Sequence, residues 1–167
     1  LYASKNIEVI EIGVPAEHVT TIDHDMELPT KTLNPEREFQ GQKFVHNKAD
    51  ESSWSDFRIP GFQCRDTTIA ENTKNVAGVQ VVRPNGNAIR PSKHDCDILF
   101  NFVMEGTMTL MASGQSSIDL NPGDAFVIPP QILTEYSDVS EDLELLEVSL
   151  PGKFKTYNDT SDSLVKR

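Results

Sequence analysis

The sequence predicts an all-β fold, and two observations support this prediction. Short segments rich in alternating or β-branched apolar residues follow one another at intervals of about 8–12 residues, and turn-forming residues separate them. The 167 residues also include ten Pro and nine Gly, which suits a fold with many turns. This length is enough for one domain with a hydrophobic core, and no internal repeat is visible. We therefore expect a single sandwich or barrel.

The strand candidates begin at Phe39 and continue to residue 150. The segment VAGVQVV alternates clearly and precedes Arg83-Pro84-Asn85-Gly86, which is a turn signal. Gly106 follows a long apolar segment where a tight turn is needed, and Pro122-Gly123 suits a type II turn. The candidates are residues 39–45, 62–70, 76–82, 98–104, 107–112, 116–120, 125–129, 132–136 and 143–150.

The chain divides into three predicted regions. Residues 1–38 form a mostly irregular N-terminal extension, residues 39–152 form the barrel, and residues 153–167 form a polar tail. Within the extension, IEVIEI (7–12) alternates as a strand does, and residues 15–23 begin with proline and could form a short helix. We expect the tail to lie on the surface or to fray.

Charge and cysteine content limit the partners and the compartment. Asp and Glu number 26 against 15 Lys and Arg, which gives a net charge of −11 and disfavours nucleic acid as a partner. No long apolar run or N-terminal leader is visible, so we expect neither a membrane partner nor export. Cys64 and Cys96 do not make a disulfide framework, although one bridge between them remains an option. The default expectation is a cytoplasmic protein.

Two motifs resemble those of the cupin superfamily. Gly86, His94 and the run DILFNFVMEG, which ends at Gly106, resemble the first cupin motif, and LNPGDAFVIPP (120–130) followed by QILTEY resembles the second. The resemblance covers about residues 74–152. It implies a double-stranded β-helix, which is the jelly-roll barrel of small single-domain RmlC-like cupins.

The flanking segments are similar to those of a subgroup of small single-barrel bacterial cupins. The segment CRDTTIAENT (64–73) precedes the barrel motifs, and SEDLELLEV (140–148) follows the second one. No single activity characterises that subgroup. The resemblance therefore implies a fold and a pocket location, but no substrate.

The resemblance also implies that the metal site is degenerate. Cupins usually bind a metal through two His and a Glu or Gln of the first motif and a His of the second. The matching positions here are Ser92, His94, Leu99 and Thr134, and only His94 is a usual ligand. Iron, zinc, manganese or nickel is therefore disfavoured as a cofactor. The alternative is a rebuilt site in which His94 and Cys96, at i and i+2 on one strand face, bind the metal with a nearby carboxylate.

A ligand pocket remains interpretable without a metal. If Leu99 points into the barrel, then Asn101 and Val103 share its face, and a buried Asn must hydrogen-bond a neighbour or a ligand. His94 and Thr134 would lie near the same cavity, and His94 is the best candidate for a catalytic role. The candidate ligand-binding residues are His94, Asn101, Thr134, Leu99, Ser92 and Arg90.

Three functions remain open from the sequence. The first is a cupin that binds a small organic ligand, anionic ligands included, with a degraded metal site. The second is a metal-dependent cupin enzyme of the dioxygenase, isomerase or lyase/decarboxylase type, or a metal-free acid–base enzyme that uses His94. The third is a structural module in which residues 7–12 add a strand to a partner's sheet. A homodimer is expected in each case, and whether the protein is an enzyme stays undecided.

Overall fold

The computed structural model of the protein describes residues 5–14, 17, 24, 31–32, 34 and 36–159. The chain forms two compact units, residues 1–34 and 35–167. In the first unit, the strand expected over residues 7–12 is wrong for the single chain, since these residues are exposed and form no strand. An isolated segment has no ladder partner for its backbone groups. The helix expected over 15–23 lies, except for Glu17, outside the described residues.

Six strands of the second unit form the larger of two antiparallel sheets. They are β3 Ser55–Asp56, β4 Phe62–Asp66, β5 Gly78–Pro84, β7 Ile98–Glu105, β10 Ala125–Ile128 and β12 Glu144–Leu150. Their spatial order is β10-β7-β12-β5-β4-β3, so β12 lies at the centre between β7 and β5. This order matters for the site because β7 and β12 present paired side chains to the interior.

Five more strands form the smaller sheet, and three short elements lie outside both sheets. The smaller sheet contains β6 Ser92–His94, β8 Met108–Ala112, β9 Ile118–Leu120, β11 Thr134–Ser137 and β13 Thr156–Asn158, in the order β13-β6-β11-β8-β9. The remaining elements are the hairpin of β1 Glu38–Phe39 and β2 Gln42–Lys43, a 3-10 turn Ala49–Glu51, and α1 Ile69–Asn72.

The hydrophobic core lies between the two sheets. Along β7, side chains alternate between the interior and the outer face, and Leu99, Asn101 and Val103 are the buried ones, as the sequence predicts. The core cluster joins inner residues of both sheets: Phe57, Ile59, Phe62, Cys64, Val82, Cys96, Leu99, Val103, Met108, Leu110, Leu120, Ile128, Tyr136, Leu143 and Leu145. The predicted all-β jelly-roll barrel is thereby confirmed. Among the described residues, no helix is long and apolar enough to cross a membrane.

Two predicted strands are shorter than expected because left-handed residues interrupt them. The candidate 39–45 is a tight hairpin, since Gln40 and Gly41 have φ values of 52° and 80°. The candidate 62–70 ends at Asp66, and Thr68, with φ 61°, leads into α1. Strands β3, β6 and β13 are short strands that the sequence did not predict, because two or three residues show no period.

The predicted turns are present at two glycines. Gly106 has φ 72°, and a Cβ there would lie 2.6 Å from the backbone N and Cα of Leu143. Gly123 has φ 96°, and beside it the Asn121 N–H donates to the Asp124 carboxylate at 2.7 Å. Both positions therefore need a residue without a side chain.

Candidate binding site inside the barrel

His94 is the last residue of β6, and its imidazole is buried at 2% exposure. The backbone N–H of Cys96 donates to Nδ1 at 3.1 Å. Because Nδ1 accepts this hydrogen bond, the neutral ring carries its proton on Nε2. Nε2 itself is buried and has no hydrogen-bond partner. His94 therefore presents an unused N–H donor.

The surroundings of His94 keep the ring neutral. Burial lowers the pKa of His94, and the positive charge of Arg58 lowers it further. The Ile128 carbonyl and the Asp95 carboxylate act in the opposite direction, but no hydrogen bond of ordinary geometry reaches Nε2. The ring of Phe154 stands edge-on to the imidazole at 5.9 Å and covers it. A neutral His94 is consequently the form present near pH 7.

Asn101 lies at the middle of β7 and is 1% exposed. In the sheet register it faces Phe126 on one side and Glu147 on the other. Neither Oδ1 nor Nδ2 of its amide has a hydrogen-bond partner. A buried polar group without a partner costs about 1–3 kcal/mol, and native interiors contain few of them. Asn101 thus offers one donor and one acceptor group to the interior.

Tyr136 lies on β11 and is 3% exposed. Its ring packs edge-on against Phe62 at 5.7 Å and Phe126 at 6.4 Å. The hydroxyl group is buried without a hydrogen-bond partner. Burial raises the pKa of this phenol, and the negative charge of Glu147 raises it further. Tyr136 is therefore protonated and can donate a hydrogen bond.

Arg58, which is partly buried, forms an ion pair with the buried Glu147. Glu147 is 3% exposed; Arg58 Nε donates to its Oε1 at 3.4 Å, and Nη2 donates to Oε2. The remaining nitrogen, Nη1, donates to the Thr156 hydroxyl at 3.2 Å. The guanidinium also lies over the rings of Phe57 and Phe154, at 4.7 and 4.9 Å. Burial raises the pKa of Glu147, and the Arg58 charge opposes that shift.

Strand register orders these groups along the barrel. In the antiparallel pair β6–β11, Ser92 faces Thr134. His94 lies two residues from this point along the strands in one direction, and Tyr136 lies two residues from it in the other. Four residue steps separate them, which is about 13 Å along the strands. The positive charge of Arg58 lowers the pKa of both His94 and Tyr136, and the negative charge of Glu147 raises that of Tyr136.

The structure brings five of the six predicted ligand-binding residues into the interior. His94, Asn101, Ser92, Leu99 and Thr134 are all buried. The Thr134 hydroxyl donates to the Ser92 carbonyl at 3.3 Å and is thus occupied. The sixth residue, Arg90, is exposed on the segment before β6 and does not belong to this buried group. Their roles in binding stay predictions.

Cys96 does not complete a metal centre with His94. Strand β6 ends at His94, so the expected shared strand face does not extend to Cys96. The Cys96 thiol instead donates to the carbonyls of Ile98 and Leu150, at 3.0 and 3.1 Å, and burial raises its pKa. Cys64 is likewise a free buried thiol, so no bridge joins the two.

The donor set therefore does not fit the usual cupin metal. Nε2 of His94 carries a proton, the Thr134 hydroxyl is engaged, and Leu99 has no donor atom. Within the described part of the chain, no group of three or more His, Cys, Asp or Glu side chains is arranged to hold a metal ion.

Sequence reasoning missed three parts of this site: Arg58, Tyr136 and Phe154. Glu147 lies in the predicted strand 143–150, but the sequence alone does not decide which way its side chain faces. Its orientation follows only from pairing with Asn101 across β7 and β12. Arg58 reaches it from 89 residues away, and no local pattern marks such a pair.

Phe154 lines two spaces, an open depression and a small cavity. The open depression, about 480 Å³, is lined by Asp95, Asp97, Pro151, Lys153, Phe154 and Lys155. The small cavity, about 30 Å³, has Glu147, Gln80 and Phe154 among its lining residues. Phe154 is thus common to the lining of both spaces.

Comparison with known proteins gives matches among solved structures alone. No family model and no curated protein matches the sequence. KdgF from Halomonas sp. is 22% identical, with 64% of this chain and 94% of that chain covered and a TM-score of 0.54. A cupin-like protein from Thermotoga maritima is 18% identical (66% and 87% covered, TM-score 0.53). Pac13, a nucleoside dehydratase from Streptomyces, is 13% identical (73% and 98% covered, TM-score 0.54). With the sequence motifs and the two facing sheets, these similarities establish that the chain has the cupin fold.

Proposed function

We propose that the protein binds a small organic molecule inside the barrel, at His94, Asn101 and Tyr136, and that binding needs no metal. The observation that supports this proposal is the set of unpaired polar atoms on these three side chains. All three side chains are nearly fully buried, so bulk water does not satisfy them. A ligand with complementary groups would remove their desolvation penalties, each of about 1–3 kcal/mol.

The structural neighbours are compatible with this proposal. Pac13 has been solved with uridine, and RemF is a polyketide cyclase, so barrels of this fold take up small organic molecules. The identities of 13% and 18% do not transfer either activity to this chain.

A ligand screen in the presence of a metal chelator tests the proposal. Small polar metabolites are first screened by thermal shift, and hits are titrated by calorimetry. A ligand at 100 times its Kd should stabilise the fold by about 2.7 kcal/mol. Asn101→Ala should weaken binding at least tenfold, whereas Asn121→Ala, at an exposed turn position, should leave it unchanged. Hits that need added metal, or that bind Asn101→Ala normally, would contradict the proposal.

A second candidate is a metal-free acid–base enzyme at the same site. It is favoured by Tyr136, whose protonated hydroxyl faces the interior without a partner, and by the neutral His94. Because its pKa is raised, this phenol keeps its proton and would donate a hydrogen bond to a ligand oxygen on which negative charge develops. If a bound ligand is converted, Tyr136→Phe should abolish turnover, whereas binding should weaken only by the loss of one hydrogen bond. Turnover that survives in both Tyr136→Phe and His94→Ala would exclude this candidate.

We further propose a cytoplasmic homodimer without nucleic-acid or membrane partners. The free thiols Cys64 and Cys96 suit a reducing compartment, and the net charge of −11 opposes binding to phosphate backbones. Apolar side chains such as Ile7 and Val9 are 58% and 76% exposed, and in a dimer they would pack against a second copy of the chain. Light scattering on the full chain and on a variant without residues 1–35 tests this role. A dimer that persists after the deletion would show that the extension is not the interface.

A further inference from the structure

We infer that the ligand of the barrel is an uncharged molecule rich in hydrogen-bond acceptors, such as a sugar, a lactone or a cyclic amide, and that Glu147 excludes anions. This inference rests on the proposed function, since it specifies the chemistry of the same site. It excludes the anionic ligands that the sequence analysis included among the candidates.

The unpaired groups are mostly donors. His94 presents Nε2–H, because Nδ1 already accepts the Cys96 N–H. Tyr136 presents its hydroxyl, and Asn101 presents its amide N–H groups together with one carbonyl oxygen. A ligand that satisfies them needs several acceptor oxygens and one donor. Hydroxyl, ether and carbonyl groups on a small ring provide this combination.

The charges inside the barrel already cancel. Arg58 and Glu147 neutralise each other, and the third donor nitrogen of Arg58 is bound to Thr156. Glu135 is also buried, but it alternates with Thr134 and Tyr136 along β11 and so points to the opposite face. Among the residues that the structure describes, the interior therefore has no cation left to pair with an incoming anion, and an unpaired buried charge is strongly unfavourable.

Glu147 adds a repulsive element. It faces Asn101 directly across β7 and β12, where paired Cβ atoms are about 4.5–5.5 Å apart. An anion that hydrogen-bonded to the Asn101 amide would lie beside this carboxylate. A neutral ligand experiences no such repulsion, so the arrangement discriminates by charge.

Matched pairs of compounds test this inference at pH 7. Glucose and glucuronate, and nicotinamide and nicotinate, are titrated into the wild-type protein together with neutral and acidic forms of any hit from the screen. We expect each neutral member that binds to bind at least tenfold more tightly than its acid. An acid that binds the wild-type protein more tightly than its neutral partner would overturn the inference while leaving the proposed function intact. Absence of binding by every compound would contradict both.

Glu147→Gln then tests the cause of the selectivity. This variant leaves Arg58 unpaired, so the interior gains a positive charge and the neutral-to-acid preference should fall at least tenfold. The double variant Arg58→Gln/Glu147→Gln removes both charges, so no carboxylate repels an acid and no cation attracts it. Its preference should therefore lie between that of the wild type and that of Glu147→Gln, and it also serves if the single variant folds poorly. Glu144→Gln, on the same strand but of opposite parity, is the matched control and should change nothing. An unchanged preference in folded Glu147→Gln would show that Glu147 does not select the ligand.

Discussion

Arg58 and Glu147 lie 89 residues apart in the sequence and form an ion pair inside the barrel. The pair connects the segment after β3 to the central strand β12. Because Arg58 also contacts Phe154 and donates to Thr156, it connects the C-terminal strand β13 to the same point. One partly buried guanidinium thus organises three parts of the chain around the candidate site.

Replacing Arg58 by Met should destabilise the protein by about 3–5 kcal/mol, because Glu147 would remain buried without its partner. Urea unfolding followed by circular dichroism measures this change. Lys48→Met breaks the exposed Lys48–Glu51 pair and should cost no more than about 1 kcal/mol. Equal losses in the two variants would mean that the Arg58 pair is no more important than a surface pair.

Asn101→Leu should raise the free energy of unfolding by about 1 kcal/mol, because it removes an amide that has no partner in the ligand-free protein. The same variant should lose ligand binding, so stability and binding change in opposite directions. Thr134→Val is the matched comparison, since its hydroxyl does donate, to the Ser92 carbonyl, and its loss should cost about 1 kcal/mol. A destabilised Asn101→Leu protein would indicate that the amide is already satisfied.

The sequence predicts the fold well because alternation along a strand and turn-forming residues are local features of the chain. Alternation along residues 98–104 correctly assigns the buried face of β7, and the turns at Gly106 and Gly123 are where their residue types indicate. The hairpin at Gln40-Gly41 shows the limit of this approach. Two residues in left-handed conformation divide what looks like one strand, and Gln40 is not a residue type that signals such a turn.

The candidate site was only partly predictable because its contacts are long-range. The cupin resemblance located His94, Leu99 and Thr134, and parity added Asn101. The direction of Glu147 depends on strand register, and its partner Arg58 depends on the path of a loop. The sequence also could not show that His94 is a hydrogen-bond donor at Nε2, since that depends on its tautomer, which the backbone N–H of Cys96 fixes. Such information exists only after the chain has folded.

Gly106→Ala should destabilise the protein by more than about 2 kcal/mol, and Gly114→Ala should cost about 1–2 kcal/mol. Both glycines have left-handed φ values, 72° and 76°, so both variants have the same backbone penalty. Only at Gly106 would the new methyl group meet other atoms, with Leu143 backbone atoms at 2.6 Å and nothing within 4 Å at Gly114. Thermal unfolding of the two variants isolates the steric contribution. Equal losses would mean that the β7–β8 turn can move away from Leu143.

The burial of His94 predicts a specific dependence of stability on pH. Its pKa is lowered in the folded protein, chiefly by burial and then by Arg58, so the unfolded chain binds the proton more readily. The corresponding stability is fully present above the unfolded value of about 6.5 and is lost as the pH falls towards the folded pKa. For one proton the slope cannot exceed about 1.4 kcal/mol per pH unit.

The measurement is the free energy of unfolding of the wild-type protein minus that of His94→Gln, between pH 7.5 and 5. This difference should decrease as the pH falls, because only the wild type has to take up the proton at position 94. The titration of Glu147, whose pKa is shifted in the opposite direction to that of His94, is present in both proteins and largely cancels. His46→Gln removes an exposed imidazole and serves as the matched control. The pH-dependent loss of stability at His94, minus the corresponding loss at His46, measures the effect of burial. A difference that stays level or increases at low pH would mean that the barrel accepts a charged imidazole, and the neutral Nε2–H donor at His94 would then be wrong.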